Sequence, residues 1–324
     1  MKFHLDFKPR AAMQSIYHSD GILFIGSCFS EHIGKRMADL KFQIHSNPFG
    51  IVFNPHSILS SLTRIISKCY FNESEVFEKE GMWYTLDGHS SIVAKSREEL
   101  LMQLNSIIDT WNQKLSTTKF LAITFGSAYA YRYKSNKKIV ANCHKLPAGL
   151  FEKELLEAKD ITSNYHKLLK QLRELNPQLS IIFTISPVKH LKDGVVENSL
   201  SKAILIQSVH QIVNTNSNCN YFPAYELVND DLRDYRFYEA DMAHPNKLAI
   251  DYVWGNFSNS YFNDETKLLN KKIDEINQAL QHRPFNPDTE SHLKFKNNFR
   301  EKCQTLNENY PGIDLENELN YFSK

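Results

Sequence analysis

The sequence predicts an α/β protein: a three-layer α/β/α sandwich built on a mainly parallel sheet. Short runs of consecutive apolar residues recur along the chain, and such runs are typical of strands that are covered on both faces. Longer segments with a helical spacing of apolar residues separate these runs. Alternating strands and helices imply right-handed crossovers between parallel strands, with helices on both sides of the sheet.

Four apolar runs are predicted to form the strands. They cover residues 21–26, 120–126, 179–185 and 220–223, and each ends at Gly, at a Ser-Pro pair or at Pro. Gly and Pro interrupt regular structure, so these residues mark the strand ends. The segment at residues 42–45 is a candidate for one further strand.

Three helices of the sandwich are predicted from apolar residues spaced by three or four positions. The first helix follows the first run, the second precedes the third run, and a weaker third helix precedes the fourth run. Their apolar residues are Ile33, Met37 and Leu40, then Tyr165, Leu168, Leu169, Leu172 and Leu175, then Ala203, Ile204, Val209 and Ile212.

The chain is predicted to divide into a main domain at residues 1–262 and a helical appendage at residues 263–324. The appendage shows two amphipathic patterns separated by a Pro-containing break at residues 282–287, and no catalytic pattern. The appendage could pack onto the main domain or form a surface for a partner, and the sequence does not distinguish the two. Its apolar residues are Leu268, Leu269, Ile273, Ile276 and Leu280, then Phe295, Phe299 and Leu306.

The composition is that of a folded, soluble protein. In 324 residues, 38 Lys and Arg against 37 Asp and Glu give a net charge of +1, so charge provides no reason to expect nucleic acid or an anionic membrane as partner. No stretch approaches the apolar length of a spanning helix, and the first ten residues lack the apolar centre of a signal peptide. We therefore expect a cytoplasmic protein, and nothing in the sequence indicates its oligomeric state.

The five cysteines predict neither a disulfide framework nor a metal site. They are scattered, odd in number and without a C-x-x-C pair, so reduced thiols are expected. The cysteines are Cys28, Cys69, Cys143, Cys219 and Cys303.

Chemically reactive side chains follow the first predicted strand. In an open α/β sheet, ligands bind at the carboxyl ends of the strands. Ser27 and Cys28 follow Gly26 there and open directly into a helix, whose first N–H groups and dipole favour a thiolate or a developing oxyanion. The alternative is structural, because Ser is a common N-cap and Cys a common core residue.

Asp241 and His244, followed by Pro245, form the second candidate. An Asp three residues before a His can hold one ring nitrogen, which leaves the other free to take a proton from a nucleophile. The alternative is an N-cap Asp beside a solvated His. The pairing with a candidate nucleophile after the first strand favours the catalytic interpretation.

Four motifs occur in order along the chain. They are Gly26-Ser27-Cys28-Phe29-Ser30, residues 47–55 beginning Asn47-Pro48-Phe49-Gly50, residues 186–194, and residues 235–245. Together they resemble the signature of the GSCFA family, over roughly residues 20–255. The fifth position of the first motif is Ser30, where the family name has Ala. That family is placed in the SGNH (GDSL-like) hydrolase superfamily, so the resemblance implies a flavodoxin-like sandwich.

The superfamily resemblance implies a nucleophile two positions after Gly26. This is Cys28, while Ser27 takes the place of the superfamily's Asp. A thiol needs less activation than a hydroxyl, so Cys28 is favoured narrowly and Ser27 is the alternative. His244 would be the acid/base and Asp241 would orient it.

The resemblance also implies an oxyanion site made of the nucleophile's N–H, a Gly N–H and an Asn side chain. Gly50 is the candidate Gly, but Ala128 stands where the Asn is expected. Asn142 could replace that donor, and His144 could bind substrate or act as a second base. For both residues a loop-stabilising network is the equal alternative. His190, at the exit of the third run, is interpreted as structural, with lining of the cleft as its alternative.

These residues predict an esterase or acyl hydrolase that forms an acyl-enzyme. The superfamily resemblance, and not the residues themselves, implies a small-molecule or carbohydrate ester as substrate. No cofactor or metal is called for. The alternatives are an acyltransferase, such as O-acetyl transfer to a carbohydrate-like acceptor, and a non-catalytic ligand-binding module.

Overall fold

The computed structural model describes residues 5, 7–286 and 289–323. Residues 1–4 and 6 lie outside the described residues; they belong to the N-terminal segment in which no signal peptide is predicted. Residues 287–288, at the end of the predicted break between the last helices, also lie outside.

Five parallel strands form the central sheet, which confirms the predicted fold class. The strands of the described chain are β1 (Gly21–Gly26), β2 (Gln43–Ser46), β3 (Val76–Lys79), β4 (Met82–Thr85), β5 (Phe120–Phe125), β6 (Tyr129–Tyr133), β7 (Ile139–Val140), β8 (Phe151–Leu155), β9 (Ser180–Ile185) and β10 (Cys219–Phe222). The order in the central sheet is β2-β1-β5-β9-β10, and the candidate segment at residues 42–45 contributes the edge strand β2.

The central strands are apolar because both of their faces are covered. Every residue of β5 and β9 is buried, so no alternation of polar and apolar residues is needed. Successive side chains of β1 point to opposite faces: Leu23 enters one core and Phe24 the other.

Helices cover both faces of the sheet. The helices of the described chain are α1 (Cys28–Asp39), α2 (Pro55–Ile66), α3 (Arg97–Thr117), α4 (Ala158–Leu175), α5 (Val195–Asn214), α6 (Ala224–Glu226), α7 (Lys247–Tyr261), α8 (Asp264–Gln281), α9 (Glu290–Asn309) and α10 (Glu316–Ser323).

The predicted apolar stripe of α5 is partly wrong. Ala203 is exposed and Ile204 only half-buried, whereas the polar residues Ser201 and Lys202 are buried together with Leu205. The polar side chains on this face contact the ends of two sheet strands, as described below.

Two small antiparallel sheets lie outside the central sheet. β3 and β4 form a hairpin between α2 and α3, and β7, β6 and β8 form a three-stranded sheet between β5 and α4. Neither was expected from the sequence.

The helices beyond residue 262 pack onto the main domain. Ile273 of α8 and Cys303 of α9 are fully buried in the same core as Phe24 of β1. An ion pair of 2.7 Å between Lys41 Nζ and Glu318 Oε1 adds a polar contact. No helix among those described combines the length and apolarity needed to cross a bilayer.

Candidate active site

The direction of the sheet reverses at β1. The chain moves from β1 outward to β2 and then returns to the opposite side of β1 as β5. Such a reversal opens a crevice at the carboxyl ends of the two strands, where open α/β sheets bind their ligands. Ser27 and Cys28 follow β1 at this crevice, and Gly126 follows β5.

A tight turn joins β1 to α1. Gly26 has φ of 136°, and a Cβ at this position would lie 2.1 Å from the carbonyl oxygen of Thr124 on β5. The N–H of Gly26 donates to Asn47 Oδ1 at 2.8 Å, and the N–H of Ser27 donates to the Thr124 carbonyl at 3.1 Å. Asn47, to which the sequence assigned no role, thus holds the turn.

Ser27 and Cys28 have different environments. Ser27 is 2% exposed, and its hydroxyl donates to Ser186 Oγ at 2.9 Å rather than capping α1. The thiol of Cys28 is only half-buried, 3.8 Å from Ser27 Oγ. Within the described chain, the N–H groups of Cys28 and Phe29 have no hydrogen-bond partner. The first turn of α1 therefore has free donors beside the thiol.

Asp241 orients His244 in an exposed loop before α7. Its Oδ2 lies 2.6 Å from His244 Nδ1, and its Oδ1 accepts the N–H groups of Ala243 and His244 at 2.9 and 3.0 Å. The two backbone hydrogen bonds, from His244 and Ala243, and then the His244 side chain lower the pKa of Asp241 from 3.8 to about 2. The carboxylate is ionised at neutral pH, and the imidazole Nε2 remains available for proton transfer.

The His244 loop lies at the same edge of the sheet as Cys28. The N–H of Lys189, beyond β9, donates to the Ala243 carbonyl at 3.0 Å. Desolvation lowers the pKa of His32, and His244 and Lys35 lower it further against the effect of Glu31. His32 is one helical turn after Cys28 on α1, so the residue that interacts with His244 is a neighbour of the thiol on the helix surface.

His190 lies in the loop after β9, with its ring centroid 5.0 Å from that of Phe53. Burial lowers the pKa of His190 to about 4, with further contributions from Lys202 and His244 that outweigh Asp193. Its Nε2 is buried and has no hydrogen-bond partner among the described residues. Nε2 also lies 3.2 Å from the position of a Cβ on Gly126. One signal for this unsatisfied nitrogen is present in the sequence, the place of His190 shortly after a strand.

Lys202 was also missed. It is 1% exposed on α5, and its Nζ donates to the carbonyl oxygens of Gly126 and Ser186 at 2.6 and 2.7 Å. These carbonyls follow β5 and β9. A lysine among apolar residues at helical spacing was the available signal, because such a position is normally apolar.

Gly50 lies in the loop after β2, with its N–H already in use. That N–H donates to the Asn47 carbonyl at 2.9 Å, and a Cβ on Gly50 would lie 2.5 Å from His89 Cβ. The glycine permits a close approach at φ of 74°. This geometry supports a packing role for Gly50.

Asn142 and His144 stabilise a loop on the small sheets. Asn142 Oδ1 accepts the N–H of His144 at 2.7 Å, and buried His144 Nε2 lies 2.8 Å from the Thr85 carbonyl. Neither side chain contacts Cys28 or His244 in the part of the chain that is described. The structure favours the loop-network alternative for both residues.

A cleft of about 890 Å³ opens beside the His244 loop. His32 of α1, Glu239 of the loop and Trp254 of α7 contribute to its lining. The described residues contain no group of three or more His, Cys, Asp or Glu that could hold a metal ion.

Three solved structures are similar to this chain at low identity. A carbohydrate esterase family 3 protein from Talaromyces cellulolyticus is 8% identical, with 78% of this chain and 99% of that chain covered and a TM-score of 0.38. The acetyl xylan esterase Est2A from the rumen bacterium Butyrivibrio proteoclasticus is 10% identical, with coverages of 82% and 65% and a TM-score of 0.37. A family 3 carbohydrate esterase from Clostridium thermocellum is 11% identical, with coverages of 78% and 98% and a TM-score of 0.31.

Among curated proteins, none matches this chain. Two family models match it: the GSCFA family over residues 21–257, and the GSCFA domain protein, C-terminal domain, over residues 273–324. The first match spans the crevice, the Ser27–Cys28 turn and the His244 loop. The chain belongs to the GSCFA family.

Proposed function

We propose that this protein cleaves or transfers an acyl ester through a thioester on Cys28. The observation that supports this most is the position of the Cys28 thiol at the sheet reversal, at a helix start with free N–H donors, with an Asp-oriented imidazole held at the same edge. A nucleophile, a base and its orienting carboxylate are the parts that acyl transfer needs.

The environments of the two candidate nucleophiles support Cys28. Ser27 Oγ is buried and donates a hydrogen bond to Ser186 Oγ. Attack by the Ser27 oxygen would first require this hydrogen bond to break. Cys28 is more accessible, and thiols are more acidic than hydroxyls. In this proposal Ser27 supports the turn and Cys28 reacts.

In the proposed reaction, Cys28 Sγ attacks the ester carbonyl carbon and its proton passes to His244 Nε2. The tetrahedral intermediate collapses, the C–O bond breaks, and His244 returns the proton to the leaving alcohol. His244 then deprotonates water, or an acceptor alcohol in a transferase, which attacks the thioester and releases Cys28 as a thiol. Asp241 keeps Nδ1 hydrogen-bonded throughout.

The carbonyl oxygen would be stabilised by the free N–H groups of Cys28 and Phe29 and by His190 Nε2. His190 is neutral above about pH 4, so with its proton on Nε2 it can donate a hydrogen bond without carrying charge. It supplies the side-chain donor that is absent at Ala128. Gly50 and Asn142 are not part of this proposed oxyanion site, because their geometry supports other roles.

The experiment is hydrolysis of an aryl acetate by wild type, Cys28→Ala and Ser27→Ala, with intact mass measured after rapid quenching. We expect wild type to gain one acetyl group, Cys28→Ala to lose at least about 10³-fold in rate, and Ser27→Ala to stay within about tenfold. If only Ser27→Ala loses esterase activity, the nucleophile is the Ser27 hydroxyl and not the Cys28 thiol.

The alternative functions give different results in the same assay. An alcohol acceptor accelerates turnover of a transferase after an initial burst, whereas a binding module releases no product. An O-acetylated carbohydrate, the substrate class that the superfamily resemblance implies, serves as the second substrate. Full activity in Cys28→Ala, Ser27→Ala and His244→Ala alike would end the proposal.

A further inference from the structure

The His244 loop, residues 234–246, closes on itself as a small hairpin. Tyr238 and Pro245 form an isolated antiparallel bridge within it. The N–H of Glu239, the residue after Tyr238, donates to the His244 carbonyl at 2.7 Å. These contacts fix the shape of the loop. The place of the imidazole relative to the strand ends depends on contacts that the loop makes outside itself.

Lys189 connects this loop to the end of β9. Its N–H donates to the Ala243 carbonyl at 3.0 Å, and Ala243 directly precedes His244. Among the residues that the structure describes, no other hydrogen bond joins residues 234–246 to the segments that follow β1, β5 and β9. His190 is the next residue after Lys189, so the same short segment joins the base to the proposed side-chain donor of the oxyanion site.

The half-buried side chain of Lys189 contacts two aromatic rings of the His244 loop. Its Nζ lies 4.1 Å from the ring centroid of Tyr235 and 4.3 Å from that of Tyr238. Burial, and then Tyr225 and Tyr235, raise the pKa of Tyr238 to about 12, so its phenol is neutral at pH 7. The ammonium is therefore attracted to the negative face of each ring and not to a phenolate.

No Asp or Glu of the described chain forms an ion pair with the Lys189 ammonium. Asp234 is paired with Arg236 at 2.9 Å, and Asp241 with His244 at 2.6 Å. The two rings are thus the groups that hold this side chain. Lys189 contacts the loop at two points in the chain, at the rings before Asp241 and at the Ala243 carbonyl after it.

We propose that Lys189 is a positioning residue for His244, and that its ammonium and its N–H together hold the His244 loop at the strand ends where Cys28 lies. A small displacement of a catalytic group is enough to slow a reaction strongly, so a second contact on the loop has a direct use. Lys189 itself transfers no proton. The inference rests on the proposed function for its purpose, but the order of the loop can be measured without any substrate.

The first measurement is amide hydrogen exchange of residues 234–246 in the full chain, followed by mass spectrometry. Lys189→Met keeps the backbone N–H and removes the ammonium. We expect exchange in this segment to be at least about fivefold faster than in wild type, because the loop opens more often. Lys189→Arg should restore the wild-type rate, since a guanidinium keeps the charge and stacks on aromatic rings. Exchange in β5 should be the same in every variant.

The second measurement is hydrolysis of an aryl acetate by the same variants. Lys189→Met should lower kcat by about 10–10²-fold and change KM less than about twofold, because a displaced base weakens the chemical step and not substrate binding. Lys189→Arg should recover most of kcat. Lys192→Met, which removes an exposed lysine from the same segment after β9, is the matched control and should change neither measurement.

Tyr235→Leu tests the contact from the side of the rings. Tyr235 is 56% exposed, so this variant is expected to fold even if Lys189→Met does not. It should accelerate exchange of the loop, and it should add nothing when it is combined with Lys189→Met, since the single contact is then already lost. A wild-type exchange rate in Tyr235→Leu, or additive effects in the double variant, would contradict the inference.

The remaining outcomes separate the two proposals. Faster exchange in Lys189→Met with an unchanged kcat overturns the inference, as does a Lys189→Arg variant that restores neither measurement. Ester turnover through Cys28 that Lys189→Met leaves intact overturns the inference and supports the proposed function. If wild type turns over no ester, the proposed function fails, and the exchange measurement alone decides whether Lys189 holds the loop.

Discussion

Asp241 shows how local hydrogen bonds prepare a general base. The pKa of Asp241 is lowered from 3.8 to about 2. The stabilisation of the loop by the ionised carboxylate is therefore fully present above about pH 4 and is lost only as the pH falls through about 2. Acid loss of activity near neutral pH would therefore not reflect the Asp241 carboxylate.

We expect Asp241→Asn to lower kcat by about 10²–10⁴-fold at pH 7, because the ring loses its orientation and its stabilisation when protonated. Thermal midpoints should change little, since the side chain is exposed. Asp234→Asn, another exposed carboxylate that accepts a backbone N–H, is the matched control. Equal activity of Asp241→Asn and wild type between pH 5 and 9 would remove Asp241 from the mechanism.

His190 gives the second prediction at this scale. His190→Phe should lower kcat by about 10²–10³-fold with little change in KM, as expected for a donor that acts mainly in the transition state. The exposed His166→Phe is the control. A higher KM with an unchanged kcat in His190→Phe would contradict an oxyanion role.

The pH dependence of stability checks the state of His190 independently. The fold favours its neutral form, so the unfolded chain binds a proton first and stability falls as the pH drops from 6.5 toward about 4. This part of the loss should be absent in His190→Phe. Urea unfolding at a series of pH values measures it.

Several site residues could not be found from local sequence. Ser186 meets Ser27 across 159 positions, and Lys202 meets the strand ends from a helix whose apolar spacing it interrupts. Asn142 and His144 were selected because they follow a site-like loop. In the structure the His144 ring lies against the Thr85 carbonyl of the hairpin, and the Asn142 side chain accepts the N–H of His144. Two pairs of candidate residues could be identified from the sequence because the members of each pair are close in the chain. The pairs are Ser27 with Cys28 and Asp241 with His244.

At the scale of elements, the strands of the main sheet were predictable and the small sheets were not. β5 and β9 are buried on both faces, so their apolar runs have few alternative explanations. β8 has the sequence Phe-Glu-Lys-Glu-Leu, in which three consecutive charged residues, two of them exposed, interrupt the apolar pattern expected of a strand. Its pairing with β6 depends on partners that are distant in the chain.

The turn from β1 into α1 depends on a glycine. In Gly26→Ala the new methyl would meet the Thr124 carbonyl, which is fixed in β5 and cannot move away. We expect a loss of at least about 3 kcal/mol in the free energy of unfolding. Chemical denaturation measures it.

Gly81→Ala is the control for positive φ alone. Gly81 has φ of 77° but nothing within 4 Å of the added Cβ. This variant should cost only about 1 kcal/mol. Similar losses in both variants would mean that the close approach at Gly26 contributes nothing.

At the scale of the whole molecule, the helices beyond residue 262 complete one of the two cores. Ile273→Ala should destabilise the entire protein by about 2–5 kcal/mol, because the residue is fully buried beside the sheet. Leu268→Ala, on the exposed side of the same helix, should stay within about 0.5 kcal/mol. A single unfolding transition that shifts as a unit is expected, and separate transitions in Ile273→Ala would contradict a shared core.

The shared core also bears on how the protein is made. While a ribosome is still translating the stretch after residue 262, the core on one side of the nascent sheet is incomplete, and the aromatic side chains that the later helices would cover are open to aggregation or to chaperones. A nonsense codon there would spare every residue of the crevice and still yield a chain unable to persist in the cell. Genetic lesions far from Cys28 should therefore be as damaging as those at the thiol itself.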